Sequence, residues 1–239
     1  MDPAEYALMA EAEGRMWWYR ALHTRLLAAL ADIDGPILDA GCGTGGLLAR
    51  LGPARPLHGL EYSPLAAPVA AAKTAGPGGA LITRGSINAL PYASQTFAAA
   101  VSADVLSHAD VDPEAALGEL HRVLRPGGRL VLNLPAYQWL LSAHDRRVHN
   151  ARRFTATSAR AHLHSAGFTT IITRYWNSLL FPLMLLRRKL LANHDDAASD
   201  VAAFSPWLDA TLHGITTFER HLPQLPFGGS VLVTGIRRE

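Results

Sequence analysis

A chain of 239 residues, 49% hydrophobic and 18% charged, carries enough apolar side chains to bury the core of one large α/β domain. Its net charge of +2, with eleven histidines besides, offers none of the Lys and Arg excess that a nucleic-acid-binding surface needs. The single cysteine, Cys42, excludes an internal disulfide and a cysteine-built zinc framework, and suits a reducing compartment.

Residues 3–30 are rich in Ala, Leu, Glu and Arg, and Leu22, Leu26, Leu27 and Leu30 recur at helical spacing, so residues 1–34 are expected to form a helical preface. The opening residues hold acids and no apolar core of leader length, which predicts a cytoplasmic protein. Gly35-Pro36 breaks the helix, and Ile37-Leu38 begins a short buried strand that turns at Gly41 into a helix over residues 45–51. A second strand is expected at 57–61. Ser63-Pro64 then opens a helix to about Lys73, with Ser63 as cap and Pro64 in the first turn. Further strands are expected at 80–84, 97–105 and 128–134, with a helix from Asp112-Pro113 to about Leu124 between the last two. A helix at 155–166, a strand at 168–175 and a last strand at 227–237 complete the reading. Short buried strands alternating with helices imply right-handed crossovers, a parallel sheet covered on both faces, and a ligand at the strands' carboxyl ends.

Residues 39–46, Asp-Ala-Gly-Cys-Gly-Thr-Gly-Gly, stand where the first strand becomes a helix. Glycines there let the backbone bend and a ligand approach without a Cβ in the way. The same residues fit a dinucleotide pattern, with Glu61 about 20 residues on as the ribose-binding acid, so the loop alone suits NAD as well as other nucleosides.

LDAGCGTGG at 38–46, GSINALPYASQTFAAAVSADVLSHAD at 85–110 and LHRVLRPGGRLVLNLP at 120–135 resemble, in order and spacing, three signatures of class I S-adenosylmethionine-dependent methyltransferases. That resemblance implies a Rossmann-like, doubly wound α/β fold with a mostly parallel seven-stranded sheet, an antiparallel last strand, a helical lid at the N-terminus and a helical insertion before the last strand. It also implies S-adenosylmethionine as cofactor, held by Asp39, Ala40, Gly41, Gly43 and Gly45. Glu61 is expected to accept from the ribose hydroxyls and Tyr62 to pack on the adenine. Ser86, where the family usually has Asp, and the backbone of Ile87 are expected at the adenine edge. Asp39 has two available jobs, ordering the loop by hydrogen bonds or facing the ligand's cationic end, and the first is preferred. Cys42 reads as a small filler, since no basic partner stands beside it in the sequence.

For the acceptor side, Ala103 and Asp104 end the fourth strand near the ligand's methionine, and His108 is a candidate general base. His144 and His149 are rivals. Asp145 stands four residues before His149, a spacing that pairs carboxylate and imidazole on a helical turn. Tyr137, Asp145 and Arg152 are candidate acceptor contacts, as are Trp18 and Tyr19. Trp17-Trp18-Tyr19-Arg20 resembles the opening of a methyltransferase subgroup whose leading helix covers the ligand, which would send Arg20 to the methionine carboxylate. Burial of these aromatics against the sheet is the alternative.

Residues 177–226 form an insertion expected to cover the acceptor pocket. Its apolar stretch at 179–186 spans eight residues, where ~20 are needed to cross a bilayer. It leaves open a hydrophobic acceptor, peripheral membrane contact through Arg187, Arg188 and Lys189, or a homodimer interface, with a helix pair that simply packs on the core as the plainer alternative. The reading favoured is one methyltransferase domain over 1–239 that methylates a small, apolar or lipid-like molecule at oxygen or nitrogen, without metal and without nucleic acid. An NAD(P)-dependent oxidoreductase and a non-catalytic S-adenosylmethionine-binding protein are the alternatives.

Overall fold

The computed structural model describes residues 3–142, 145, 149–190 and 205–238. His144, Arg146, Arg147 and the stretch 191–204 lie outside the described residues, as do the side chains of Arg187, Arg188 and Lys189.

The preface is two helices rather than one: α1 (Pro3–Ala12) and α2 (Trp17–Leu30). Met16 is extended between them, and Glu13 and Gly14 provide the reason, since Glu13 turns inward to Thr44 and Gly14 has no helix propensity to resist the break. α2 buries Trp17, Ala21, Leu22, Leu26 and Leu30, a stripe at helical spacing.

β1 (Ile37–Ala40), with all four residues buried, is followed by α3 (Gly46–Leu51), β2 (Leu57–Glu61), α4 (Ala66–Lys73), β3 (Leu81–Arg84) and β4 (Phe97–Ala103). α4 starts later than expected, but the Ser63 hydroxyl does accept from the N–H groups of Leu65 and Ala66 at 3.2 and 3.4 Å. β4 stops two residues short of expectation because Asp104 turns into the left-handed region, φ 58. α5 (Pro113–Val123) is capped by Asp112, whose carboxylate accepts from Glu114 and Ala115 N–H at 2.9 and 3.3 Å. β5 (Leu124–Pro135) begins earlier than expected, pairing Leu124 with Phe97 before an irregularity at Phe97/Ala99.

α6 (Ala156–Ser165) opens with a reciprocal Thr155–Ser158 capping box. β6 (Phe168–Trp176), α7 (Phe181–Leu190), α8 (Pro206–Phe218) and β7 (Ser230–Arg237) follow, so the insertion contributes two helices among the described residues. None of the described helices is long and apolar enough to cross a membrane.

The seven strands run β3-β2-β1-β4-β5-β7-β6, with β7 antiparallel to both its neighbours. Successive strand residues point to opposite faces and so feed two cores. Leu38, Ala100, Leu130 and Leu132 meet Leu117 and Leu120 of α5 and Leu163 of α6 on one side. Ile37, Ala99, Val101 and Val131 meet Leu22, Leu26 and Leu30 of α2 and Leu48 of α3 on the other. A small third cluster, Trp17, Leu180 and Leu212, joins α2 to the insertion.

Candidate active site

The glycine loop lies at the carboxyl end of β1, against the break where strand order reverses between β1 and β4. Gly41, Gly43 and Gly45 have φ of 93°, 54° and 87°, so each occupies backbone space that a side chain adopts only with strain. Side chains there would also collide: a Cβ on Gly41 would strike Val105, and one on Gly45 would come within 3.0 Å of the Ala70 backbone. The N–H groups of Gly41 and Cys42 donate to Leu60 carbonyl at 2.8 and 2.9 Å, which pins the loop to β2.

Two carboxylates hold the rest of the loop. Glu61 accepts from Gly43 N–H at 2.9 Å and from Ser63 N–H at 2.8 Å. Glu13 accepts from the Thr44 hydroxyl at 2.7 Å and Gly46 N–H at 3.1 Å, and pairs with Lys73. Loop ordering by hydrogen bonds therefore belongs to Glu61 and Glu13 and not to Asp39, whose carboxylate has no hydrogen bond among the described residues. Burial pushes Asp39 up to about 8, and the nearby Glu61 and Glu13 charges add to the effect. Burial also raises Glu61, against the pull of its N–H donors. Glu13 escaped the sequence reading because its partners are 31 to 60 residues away and no local pattern marks it. Burial, then Asp39 and Glu61, drive the Cys42 thiol upward, so it stays protonated and inert, as a filler should.

Beyond Glu61, Tyr62 is 74% exposed and presents a ring at the edge of the site. The Ser86 hydroxyl accepts from Asn88 N–H at 3.2 Å, and the Ile87 side chain is core. Ala40 is buried, and its carbonyl accepts from the Ser102 hydroxyl at 2.7 Å, tying β1 to β4.

At the end of β4, beyond half-buried Ala103, Asp104 is half-buried too and its carboxylate accepts from Asn133 Nδ2 at 3.0 and 3.1 Å. Burial raises Asp104 to about 7, with Asn133 and Arg153 opposing and Asp145 assisting. His108 lies on the turn that follows; burial lowers it to about 4, so its imidazole is neutral. His149 is exposed with φ 59°, joined to this turn through its carbonyl, which receives Ala109 N–H at 2.8 Å.

The expected Asp145–His149 pair does not form. Asp145 is fully buried and gives both oxygens to Arg153, at 2.7 and 2.8 Å, because a guanidinium fork meets a carboxylate with two charged hydrogen bonds where an imidazole offers one. Although burial opposes it, Arg153 and Ser142 hold Asp145 below the usual carboxylate range. Arg152 is a clamp: its guanidinium donates to the carbonyls of Leu106, His108 and Val111 at 3.1, 2.8 and 2.6 Å.

On α2, Arg20 pairs with Asp209 of α8 at 3.2 Å, so its charge is directed to the insertion in this structure. Trp18 meets Tyr19 edge-on at 5.1 Å and stacks on Trp176 at 6.1 Å. Tyr137, with φ 60°, stacks between Tyr175 at 5.5 Å and Trp139 at 5.6 Å, with Phe181 also at 5.6 Å. These rings form an aromatic wall at the carboxyl ends of β5 and β6.

This strand order, with the antiparallel β7 and the glycine loop at the carboxyl end of β1, is the fold of solved S-adenosylmethionine-dependent methyltransferase structures. Residues 38–132 match the family described as a methyltransferase domain. It is 36% identical over 108 residues to an uncharacterised methyltransferase of Bacillus subtilis (strain 168), a stretch covering 44% of this chain and 46% of that one. Over 107 residues it is 36% identical to an uncharacterised transposon-encoded protein of Streptomyces fradiae, covering 43% of this chain and 31% of that one. The chain thus matches less than half the length of these curated relatives.

Among solved structures, a Haloferax volcanii protein in complex with a methyltransferase activator superposes with a TM-score of 0.62 at 22% identity, over 92% of this chain and 91% of its own. A Thermotoga maritima protein described as a possible histamine N-methyltransferase gives 0.61 at 18%, over 98% and 96%. Phosphoethanolamine N-methyltransferase 2 of Haemonchus contortus, with S-adenosyl-L-methionine bound, gives 0.61 at 16%, over 91% and 52%. At these identities the likeness is one of fold.

Proposed function

We propose that this protein moves the methyl group of S-adenosylmethionine to a nitrogen or oxygen of a small-molecule acceptor. One observation carries the choice of ligand: three carboxylates, Asp39, Glu61 and Glu13, converge on a loop of left-handed glycines, and among the described residues only Glu13 has an ion-pair partner. A sulfonium nucleoside brings positive charge to that cluster, whereas the pyrophosphate of a dinucleotide would add negative charge beside Asp39 and Glu61, which already resist ionisation. The residues fit the donor. Glycine backbone receives its methionine part, Glu61 retains lone pairs for ribose hydroxyls, Tyr62 offers a face to adenine, and Ser86 with the backbone of Ile87 borders the ring. The backbone at Ala103, at the carboxyl end of β4, is the part proposed to receive the donor's amino group.

The bound donor supplies an electrophilic methyl group. The protein's part is alignment and exclusion of water. The aromatic wall of Tyr137, Trp139 and Phe181, with exposed Leu179, Leu183 and Leu186 beside it in sequence, supports an acceptor with an apolar or lipid-like body. The amine substrates named for the Thermotoga and Haemonchus neighbours support transfer to nitrogen.

Calorimetric titration tests the donor: saturable binding of S-adenosylmethionine or its demethylated product is expected, and binding of NADP in their place would overturn the reading. Transfer of labelled methyl to a panel of amines, phenols and aminophospholipids tests the acceptor. Vesicle co-sedimentation and sedimentation velocity test membrane contact and self-association through the insertion.

A further inference from the structure

Asp104 stands in a conformation that a non-glycine residue adopts at a local cost, with φ 58° at the end of β4. The turn it begins touches the donor loop, since Val105 fills the space beside the missing side chain of Gly41. Two hydrogen bonds fix its backbone: its N–H donates to Asn133 carbonyl at 2.8 Å, and its carbonyl accepts from the Ser107 hydroxyl at 2.6 Å.

The carboxylate is aimed by a relay of side chains. Trp176 Nε1 donates to Asn133 Oδ1 at 2.8 Å. An indole N–H only donates, so the buried amide must present its oxygen to Trp176 and its nitrogen to Asp104. Trp176 is held in turn by the Arg25 guanidinium, 4.5 Å over its ring, and by the Trp18 stack. Residues of α2, β6 and β5 thus converge on one carboxylate just past the end of β4, beside the glycine loop. Among the described residues, the charged groups around it are Arg153 and Asp145, which neutralise each other, while His108 on its own turn is neutral. One neutral amide nitrogen is its only side-chain donor among the described residues, so acceptor capacity remains on both oxygens.

We propose that Asp104 receives the proton the methyl acceptor loses, and that Asn133 and Trp176 are positioning residues that aim it. This rests on the donor site proposed above. The acceptor's lone pair forms the bond to the methyl carbon as the carbon–sulfur bond breaks, and that bond's electrons stay on sulfur, which becomes a neutral thioether. The N–H or O–H proton of the acceptor passes to an Asp104 oxygen and from there to solvent. Burial places Asp104 near neutrality, where both of its forms are available, and His108 is the weaker base.

The test has three readouts. In 15N-labelled protein without donor, the Trp176 indole N–H resonance should titrate with a midpoint near 7, and Asp104→Asn should abolish that titration. An indole signal that is flat from pH 5 to 9 in the wild type overturns the relay. The affinity of the demethylated donor, measured calorimetrically, should change less than twofold in Asp104→Asn. A loss of tenfold or more would assign the carboxylate to the donor and overturn the proposal. With histamine or phosphoethanolamine as acceptor probe, Asp104→Asn should lower kcat by ~10²-fold or more, and Trp176→Phe should lower kcat and shift the acid limb of the pH profile with KM for the donor unchanged. Wild-type kcat and pH profile in both variants would overturn the proposal. Failure of the wild type to bind any donor would instead refute the donor site, because the indole titration depends on the relay alone.

Discussion

Replacing Asp39 by Asn keeps the side chain's shape and removes its charge. Asp39 is buried on β1, and its carboxyl is raised to about 8 from 3.8 by burial and by the Glu61 and Glu13 charges. A folded value above the unfolded one means that its contribution to stability is fully present below the unfolded value, where both states are protonated, and is lost as pH rises toward 8. At 1.36 kcal/mol per unit, this carboxyl penalises the folded state at pH 7 by as much as ~4 kcal/mol relative to a side chain that never ionises. Asn exchanges an O–H for an NH2 group and repacks imperfectly, so the expected gain at pH 8 is ~1–3 kcal/mol, a rise in Tm of roughly 2–10 °C for a chain of this size. Scanning calorimetry of the donor-free protein from pH 5 to pH 8.5 should show the variant pulling ahead of the wild type as pH rises. Equal Tm values across that range, or a variant less stable at pH 8, would refute the reasoning and show Asp39 to be ionised and paired. The same substitution should weaken donor binding, since it removes the carboxyl that a bound cation would draw into its ionised form.

Glu61→Ala removes the acceptor for Gly43 and Ser63 N–H and should cost ~1–3 kcal/mol of donor affinity by calorimetric titration; unchanged affinity would refute the ribose assignment. Glu13→Ala leaves Gly46 N–H and the Thr44 hydroxyl without that partner, so hydrogen exchange at the Gly46 amide should accelerate by ~10-fold or more while amides in β4 and β5 keep their protection. Arg153→Met strands the Asp145 carboxylate, which is 1% exposed, and should cost ~3–5 kcal/mol in urea unfolding at pH 7. Because Asp145 is depressed in the folded state, that difference should shrink as pH falls through its folded value.

Local signals were the legible ones. Asp112-Pro113 announced α5 and the apolar run from Phe97 announced β4, because a cap and a buried strand are properties of a few adjacent residues. The glycine loop and Glu61 were readable for the same reason, reinforced by the spacing of the later signatures. What escaped depends on distant partners. The break after Ala12 follows from Glu13 reaching 31 residues forward, the early end of β4 from Asn133 fastening Asp104, and the loss of an Asp145–His149 pair from Arg153 competing for the same carboxylate. Asn133 lay in plain view inside a recognised signature, yet its meaning depends on Trp176, 43 residues later.

The placement of β7 has a consequence for how the molecule assembles. This strand, last of the seven in the sequence, inserts between β5 and β6, which do not pair with each other. β6 can therefore join the sheet only after residues 230–237 have left the ribosome. Arg25, buried on α2 near the start of the chain, likewise waits for Thr216 and Glu219, 191 and 194 residues later, to accept its guanidinium. Such distant closures carry a large entropic cost before any contact repays it. The sheet from β1 to β5 is thus expected to form first, with the relay through Trp176 to Asp104 becoming complete only when the final strand locks β6 in place.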